Sequence, residues 1–116
     1  MMSDNYTIKI TSQAYDNLRE ITKYIAHNLY APDAAATLLD KIYKKADTLA
    51  YMPERIAPIE EEPWRSEGIR RMSVDNFYIY FWVDKNNMLV QIIAVIYSRR
   101  DQMHQLADIM NLKQPE

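Results

Sequence analysis

Two arginine pairs, Arg70-Arg71 and Arg99-Arg100, are the residues of this chain best suited to chemistry. A guanidinium fork holds a phosphate or carboxylate through paired hydrogen bonds. Two such pairs at the ends of neighbouring strands could converge on one anion. His104 adds a group whose charge changes near neutral pH, the property needed of a general acid or base. Tyr78, Tyr80 and Trp82 recur at every second position, and Tyr97 stands just before the second arginine pair. An exposed aromatic row of this kind favours a protein partner. Each of these residues also has a plainer reading. The arginines can be rim charges facing Glu60-Glu61-Glu62, in surface pairs worth about 0–1 kcal/mol. That acidic run is either simply solvated or a shield for the arginines. His104 is ordinarily a solvated helix-surface histidine, and His27 is a favourable charge near a helix C-terminus.

Something must position these groups, and composition bounds what it is. The chain has 116 residues, 48% of them hydrophobic, which is material for one core, so one domain over residues 1–116 is expected. Its 14 Lys+Arg against 16 Asp+Glu leave a net charge of -2, so any basic site must be local. Without cysteine, disulfides, thiolate zinc sites and cysteine nucleophiles are excluded. With one glycine, Gly68, the Gly-rich phosphate loops of nucleotide folds are excluded as well, and no cofactor is expected. The polar start, Met1 to Asn5, lacks the basic and apolar regions of a secretory signal, and no apolar run approaches the roughly 20 residues that span a bilayer. A cytoplasmic protein is expected.

Periodicity supplies the elements. Tyr6, Ile8 and Ile10 alternate with Thr7 and Lys9, the pattern of a half-buried strand. Thr11 and Ser12 offer capping hydroxyls, and Ala14, Leu18, Ile21, Ile25 and Leu29 place a helix over about residues 12–29. Ala31-Pro32-Asp33 starts a second helix, with proline tolerated in its first turn and Asp33 complementing the dipole. Its stripe is Ala35, Leu38, Leu39, Ile42, Ala46 and Leu49, and Pro53 ends it. Two helices so closely joined should pack antiparallel. Residues 53–68, with three prolines and the acidic run, read as a long surface loop with freedom to move.

Residues 69–74, 77–83 and 89–97 then read as strands, rich in β-branched and aromatic residues. The last two are apolar on both faces, which suits central strands covered by helices on one side and by a partner or further chain on the other. On the middle strand Phe77, Ile79, Phe81 and Val83 face the helices. Tyr78, Tyr80 and Trp82 form either a second core layer or an exposed patch, and we take the patch as the expectation. A short helix over about 101–111, with Met103, Leu106, Ala107 and Met110, closes the chain. Because a helical hairpin intervenes, the first strand need not pair with the second.

This order, with its particular residues, resembles the RelE/ParE superfamily of toxins over roughly residues 6 to 104. The residues carrying the resemblance are Ile10-Thr11, Ala14, Leu18, Ile21, Tyr24-Ile25, Pro32, Ala35, Ile42, Leu49 and Pro53. Gly68 to Met72, Asn76 to Asp84 and Ile92 to Asp101 complete it. The resemblance implies an α+β fold, β-α-α-β-β-β with a short C-terminal helix, its antiparallel sheet packed on a helical hairpin. It further implies the toxin of a type II toxin-antitoxin system, of plasmid-stabilisation type, neutralised by an antitoxin whose C-terminal segment wraps it.

The family divides by mechanism. RelE-like members cut messenger RNA in the ribosome, using basic residues on central strands to hold phosphate and an acid-base group near the C-terminus. ParE-like members inhibit DNA gyrase. Carried onto this chain, the nuclease set is Arg71, Arg99 or Arg100, and His104. Tyr78 stands where many RelE-like members keep an arginine, and the tyrosine-rich strand and Arg-Arg-Asp ending look more like ParE. The expectation is therefore a ParE-like inhibitor that acts by binding gyrase, with Arg70, Tyr78, Tyr80, Trp82 and Tyr97 as partner-binding residues. The alternatives are a ribosome-dependent endoribonuclease and an inactive binding module of the same fold.

Overall fold

The structure, a computed structural model, describes residues 5–100 and 102–111. The first strand, β1, is Thr7–Ile10. Thr11 then caps α1, Ser12–Lys23, its hydroxyl oxygen accepting from the Ala14 N–H at 3.2 Å. The expected helix does not run regularly to residue 29. Tyr24–Asn28 form a π-helical turn, closed by the Leu29 N–H donating to the Tyr24 carbonyl at 3.1 Å. The wider turn rotates the following side chains off the stripe. Leu29, expected in the core, is consequently 53% exposed.

Pro32 opens α2, Pro32–Asp47, which buries Ala35, Leu38, Ile42 and Ala46. The α-helix stops before Pro53 is reached. A 3-10 turn, Thr48–Ala50, takes over and places Leu49 fully in the core. A second 3-10 turn, Pro53–Arg55, begins the long loop.

Three strands follow: β2, Arg70–Val74; β3, Phe77–Asp84; and β4, Leu89–Tyr97. The sheet order is β1-β4-β3-β2. β2, β3 and β4 are antiparallel, as expected, but β1 lies parallel to β4, with Thr7 opposite Leu89 and Ile10 opposite Ile92. The sheet is therefore mixed. The helical hairpin permits this, because a chain that crosses one face before re-entering the sheet can return parallel. α3, Gln102–Asn111, ends the described chain, and its Leu106 is fully buried. Asp101 and the side chains of Met103 and Met110, which belong to the sequence expectations, lie outside the described residues.

Two apolar layers sandwich the sheet. On one face Ile79, Phe81, Val90, Ile92 and Val95 pack with Leu18, Leu38, Ile42 and Leu49 of the hairpin. On the other, Tyr80, Ile93, Ala94 and Ile96 pack with Ile59, Trp64, Ile69 and Leu106. Ile93 and Ala94 share that second face because a β-bulge sits opposite Tyr80/Phe81, so the register slips by one residue. The second layer corrects one expectation. The 53–68 loop is not a free surface segment, since its Ile59 and Trp64 are core residues. Of the two covers expected for this face, a partner or further chain, the loop and α3 supply the second. Gly68, at φ +79°, ends the loop in the left-handed conformation that glycine alone adopts without strain.

Candidate functional site

Alternation on β2 sends its two arginines to opposite faces, which separates their roles. Arg70 turns back to the loop. Its Nη1 donates to the carbonyls of Glu54 and Ile56, its Nη2 lies 4.0 Å from the Glu54 carboxylate, and its buried Nε has no protein partner. Glu54 also meets Lys85 at 3.5 Å. Arg70 thus anchors the loop to the sheet and presents little to a partner.

Arg71 lies on the second face, opposite Tyr80 in the ladder. Its guanidinium carbon sits 4.2 Å from the centre of the Tyr78 ring, a cation–π contact, and its Nη1 is 3.5 Å from the Tyr80 hydroxyl. Tyr80 donates onward to Gln102 Oε1 at 2.9 Å. Gln102 Nε2 in turn donates to the carbonyls of Tyr97 and Arg100, at 2.6 and 2.9 Å. One continuous polar chain therefore runs from β2 across β3 to the turn that launches α3.

The electrostatics of this chain follow from its burial. Desolvation works against the Arg71 charge, but the Tyr80 hydrogen bond and the nearby Tyr78 and Glu61 more than offset it, raising its pKa above the usual range. Burial pushes the Tyr80 phenol up, against the pull of Arg71. Tyr80 is thus a neutral hydrogen-bond donor at physiological pH, not a proton shuttle. The acidic run enters only through the field of Glu61 at Arg71 and Tyr80, while Glu62 bonds within its own loop, accepting from the Ser66 hydroxyl at 2.7 Å.

The aromatic row splits. Tyr80, expected in an exposed patch, is 0% exposed and belongs to the second core layer. Burial of a tyrosine requires a partner for its hydroxyl, and Gln102 supplies it. Tyr78 is half-buried beneath Arg71, and Trp82 is exposed at the edge of the row. Tyr97 is exposed on the hairpin side, its ring 5.5 Å from that of Phe77.

Nor do the two arginine pairs meet. Their strands, β2 and β4, are separated by β3. Arg71 serves the face under α3, whereas Arg100 lines a groove on the hairpin side and Arg99 is exposed. His104 is exposed on α3, two residues from both Gln102 and Leu106, so it projects from the side opposite the one docked on the sheet. Among the described residues no cluster of His, Asp and Glu is placed to hold a metal ion.

The groove that Arg100 lines has a volume of about 770 Å³. α1 and its π-turn supply Asn17, Ile21, Tyr24 and Leu29, the sheet supplies Phe77 and Tyr97, and α3 supplies Gln105. β1 pairs with β4 only as far as Ile92, so beyond it no strand among the described residues lies beside that edge of β4. Asn17 takes one of its N–H groups, Oδ1 accepting from Val95 at 3.0 Å. Asn17 and Gln102 were invisible as site residues in sequence, because nothing local marks an amide whose partner is tens of residues away.

A family model described as the ParE toxin of the type II toxin-antitoxin system, parDE, matches residues 8–102. No curated protein matches the sequence significantly. Among solved structures, a chain of the chromosomal ParDE toxin-antitoxin system from P. aeruginosa superposes with a TM-score of 0.66 at 21% identity, covering 82% of this chain and 98% of that one. The toxin-antitoxin complex RelBE2 from Mycobacterium tuberculosis gives 0.58 at 19% identity, with 84% and 94% covered. A mutant of the E. coli toxin RelE in the free state also gives 0.58, at 13% identity, with 87% and 92% covered. At these identities the structural likenesses speak for the shared fold.

Proposed function

Since this chain belongs to the ParE toxin family of type II toxin-antitoxin systems, we propose that it arrests growth by binding DNA gyrase rather than by catalysis, and that a cognate antitoxin neutralises it. The observation that carries the non-catalytic reading is the dispersal of the cations. A metal-free ribonuclease needs donors converging on a phosphate, with an acid or base in reach of the 2'-hydroxyl. Here Arg70 is spent on the loop, Arg71 is capped by Tyr78 and Tyr80, and Arg100 lines a groove on the other face. His104 stands exposed on α3.

The groove beside β4 supports the antitoxin assignment. It combines an apolar wall, exposed Tyr24, Leu29 and Tyr97, and an open strand edge, a surface fitted to a partner segment that supplies both side chains and backbone hydrogen bonds. Of the expected partner-binding residues, Trp82, Tyr97 and, in part, Tyr78 remain available to a partner. Action on gyrase places the protein in the cytoplasm, and no helix among the described residues is long and apolar enough to cross a membrane.

The deciding experiment is induction of the protein alone in bacterial cells, with messenger RNA integrity and plasmid supercoiling followed in the same samples. The expected outcome is intact transcripts with relaxed plasmid or DNA damage. Cleaved transcripts with normal supercoiling would establish the ribonuclease instead, and unaffected growth would leave an inactive binding module.

A further inference from the structure

The π-turn that follows α1 is closed by the Ala31 N–H, which donates to the Ile25 carbonyl at 3.1 Å. Tyr30, just before it, stands in the left-handed conformation at φ +52°. Glycine ordinarily fills that position at such a helix end. A bulky residue there carries backbone strain that glycine avoids. The fold returns little for it, because Tyr30 is 88% exposed. Met88 and Met52 share the conformation, but each has a local reason. Met88 packs on the core, and the Met52 carbonyl accepts from both the backbone N–H and the guanidinium of Arg55.

We propose that Tyr30 is the residue through which the protein grips its target, its ring entering an apolar recess on that protein's surface. The proposal rests on the gyrase reading and names the surface that the inhibitor uses. Tyr24 and Leu29, on the same turn, are half exposed and widen the contact. Residues 24–32 contain no Lys, Arg, Asp or Glu, in a chain of which 26% is charged. The tip therefore offers no Lys or Arg to a nucleic-acid backbone, and it suits an uncharged protein surface. Tyrosine fits this use, since it supplies a large rigid contact at small conformational cost and is enriched among the residues that dominate interfaces. Tyr24 and Leu29 line the groove beside β4 whereas Tyr30 does not. The ring thus stands next to the antitoxin's proposed seat, not in it.

The test is inhibition of purified gyrase, supercoiling a relaxed plasmid, by the full-length protein and its Tyr30→Gly and Tyr30→Phe variants, with thermal melts of all three. Tyr30→Gly relieves the strain at φ +52°, so it is expected to melt no lower than the parent chain. It is nevertheless expected to need about tenfold more protein for half inhibition. Tyr30→Phe keeps the ring and is expected to inhibit within about threefold of the parent. Full inhibition by Tyr30→Gly overturns the proposal and leaves the ring to the antitoxin or to solvent. A fall of more than about 5 °C in its melting temperature also overturns it, because the ring would then be structural. So does equal loss in Tyr30→Phe, which would make the hydroxyl, not an apolar ring, what the target reads. A parent chain that leaves gyrase unaffected refutes the gyrase reading itself, and the proposal with it, before any variant is compared.

Discussion

Replacing Tyr80 by Phe keeps the ring in its fully buried site and removes one oxygen. That oxygen donates to Gln102 at 2.9 Å, a bond worth about 1 kcal/mol net. Its contact with Arg71, at 3.5 Å, lies at the limit of a hydrogen bond and adds little. Leaving Gln102 Oε1 without its donor raises the loss to about 1–2 kcal/mol. The melting entropy of a domain this size is roughly 240 cal/mol/K, so the melting temperature should fall by about 4–8 °C. Gln102→Ala should cost more, about 2–3 kcal/mol, because it strands a buried phenol and frees the carbonyls of Tyr97 and Arg100. In the double variant the two losses should overlap by about 1 kcal/mol. Urea unfolding of the four proteins measures all of this. A Tyr80→Phe loss below about 0.3 kcal/mol, or a strictly additive cycle, would refute the polar chain as a connection between sheet and α3.

Trp64→Ala should destabilise by about 3–5 kcal/mol, as for a core tryptophan, and a loss under 1 kcal/mol would return the 53–68 loop to the surface. His104→Ala should leave growth arrest intact, whereas a ribonuclease using it would lose about 100-fold or more in transcript cleavage. Raising the pH should expose Tyr80. Its folded pKa is raised above the unfolded value of about 10, so between the two the folded state holds the extra proton. Stability is therefore full below about pH 10 and falls as pH climbs through the folded pKa. Chemical denaturation at pH 9 and 11 should show a decline that Tyr80→Phe reduces.

Local patterns carried most of the elements. The capping Thr11, the proline opening α2 and the alternation on β3 each act within a few residues, so they could be read directly. The face of β3 that packs on the hairpin followed from the same alternation. What escaped was non-local. The π-turn that throws Leu29 outward has no composition signature, and the bulge at Ile93/Ala94 becomes visible only against its partner strand. Tyr80 looked like a surface aromatic because the residues that cover it, Trp64 and Leu106, come from a proline-rich loop and a weakly amphipathic helix. Polar composition concealed the loop's two anchors. The site suffered most, since Arg70 and Arg71 are adjacent in sequence yet serve opposite faces of the sheet.

The parallel pairing of β1 with β4 also bears on how the protein is made. Thr7 meets Leu89, a partner roughly 80 residues later, so the first strand synthesised waits for nearly the whole domain before it can enter the sheet. At about 5–20 residues per second, that wait lasts some seconds on the ribosome. Closing so long a loop is entropically costly and is recovered only when β4 arrives, which makes folding a late and all-or-none event. A truncated translation product cannot complete the sheet, so a cell that makes this toxin is exposed to it only after the chain has been read through β4.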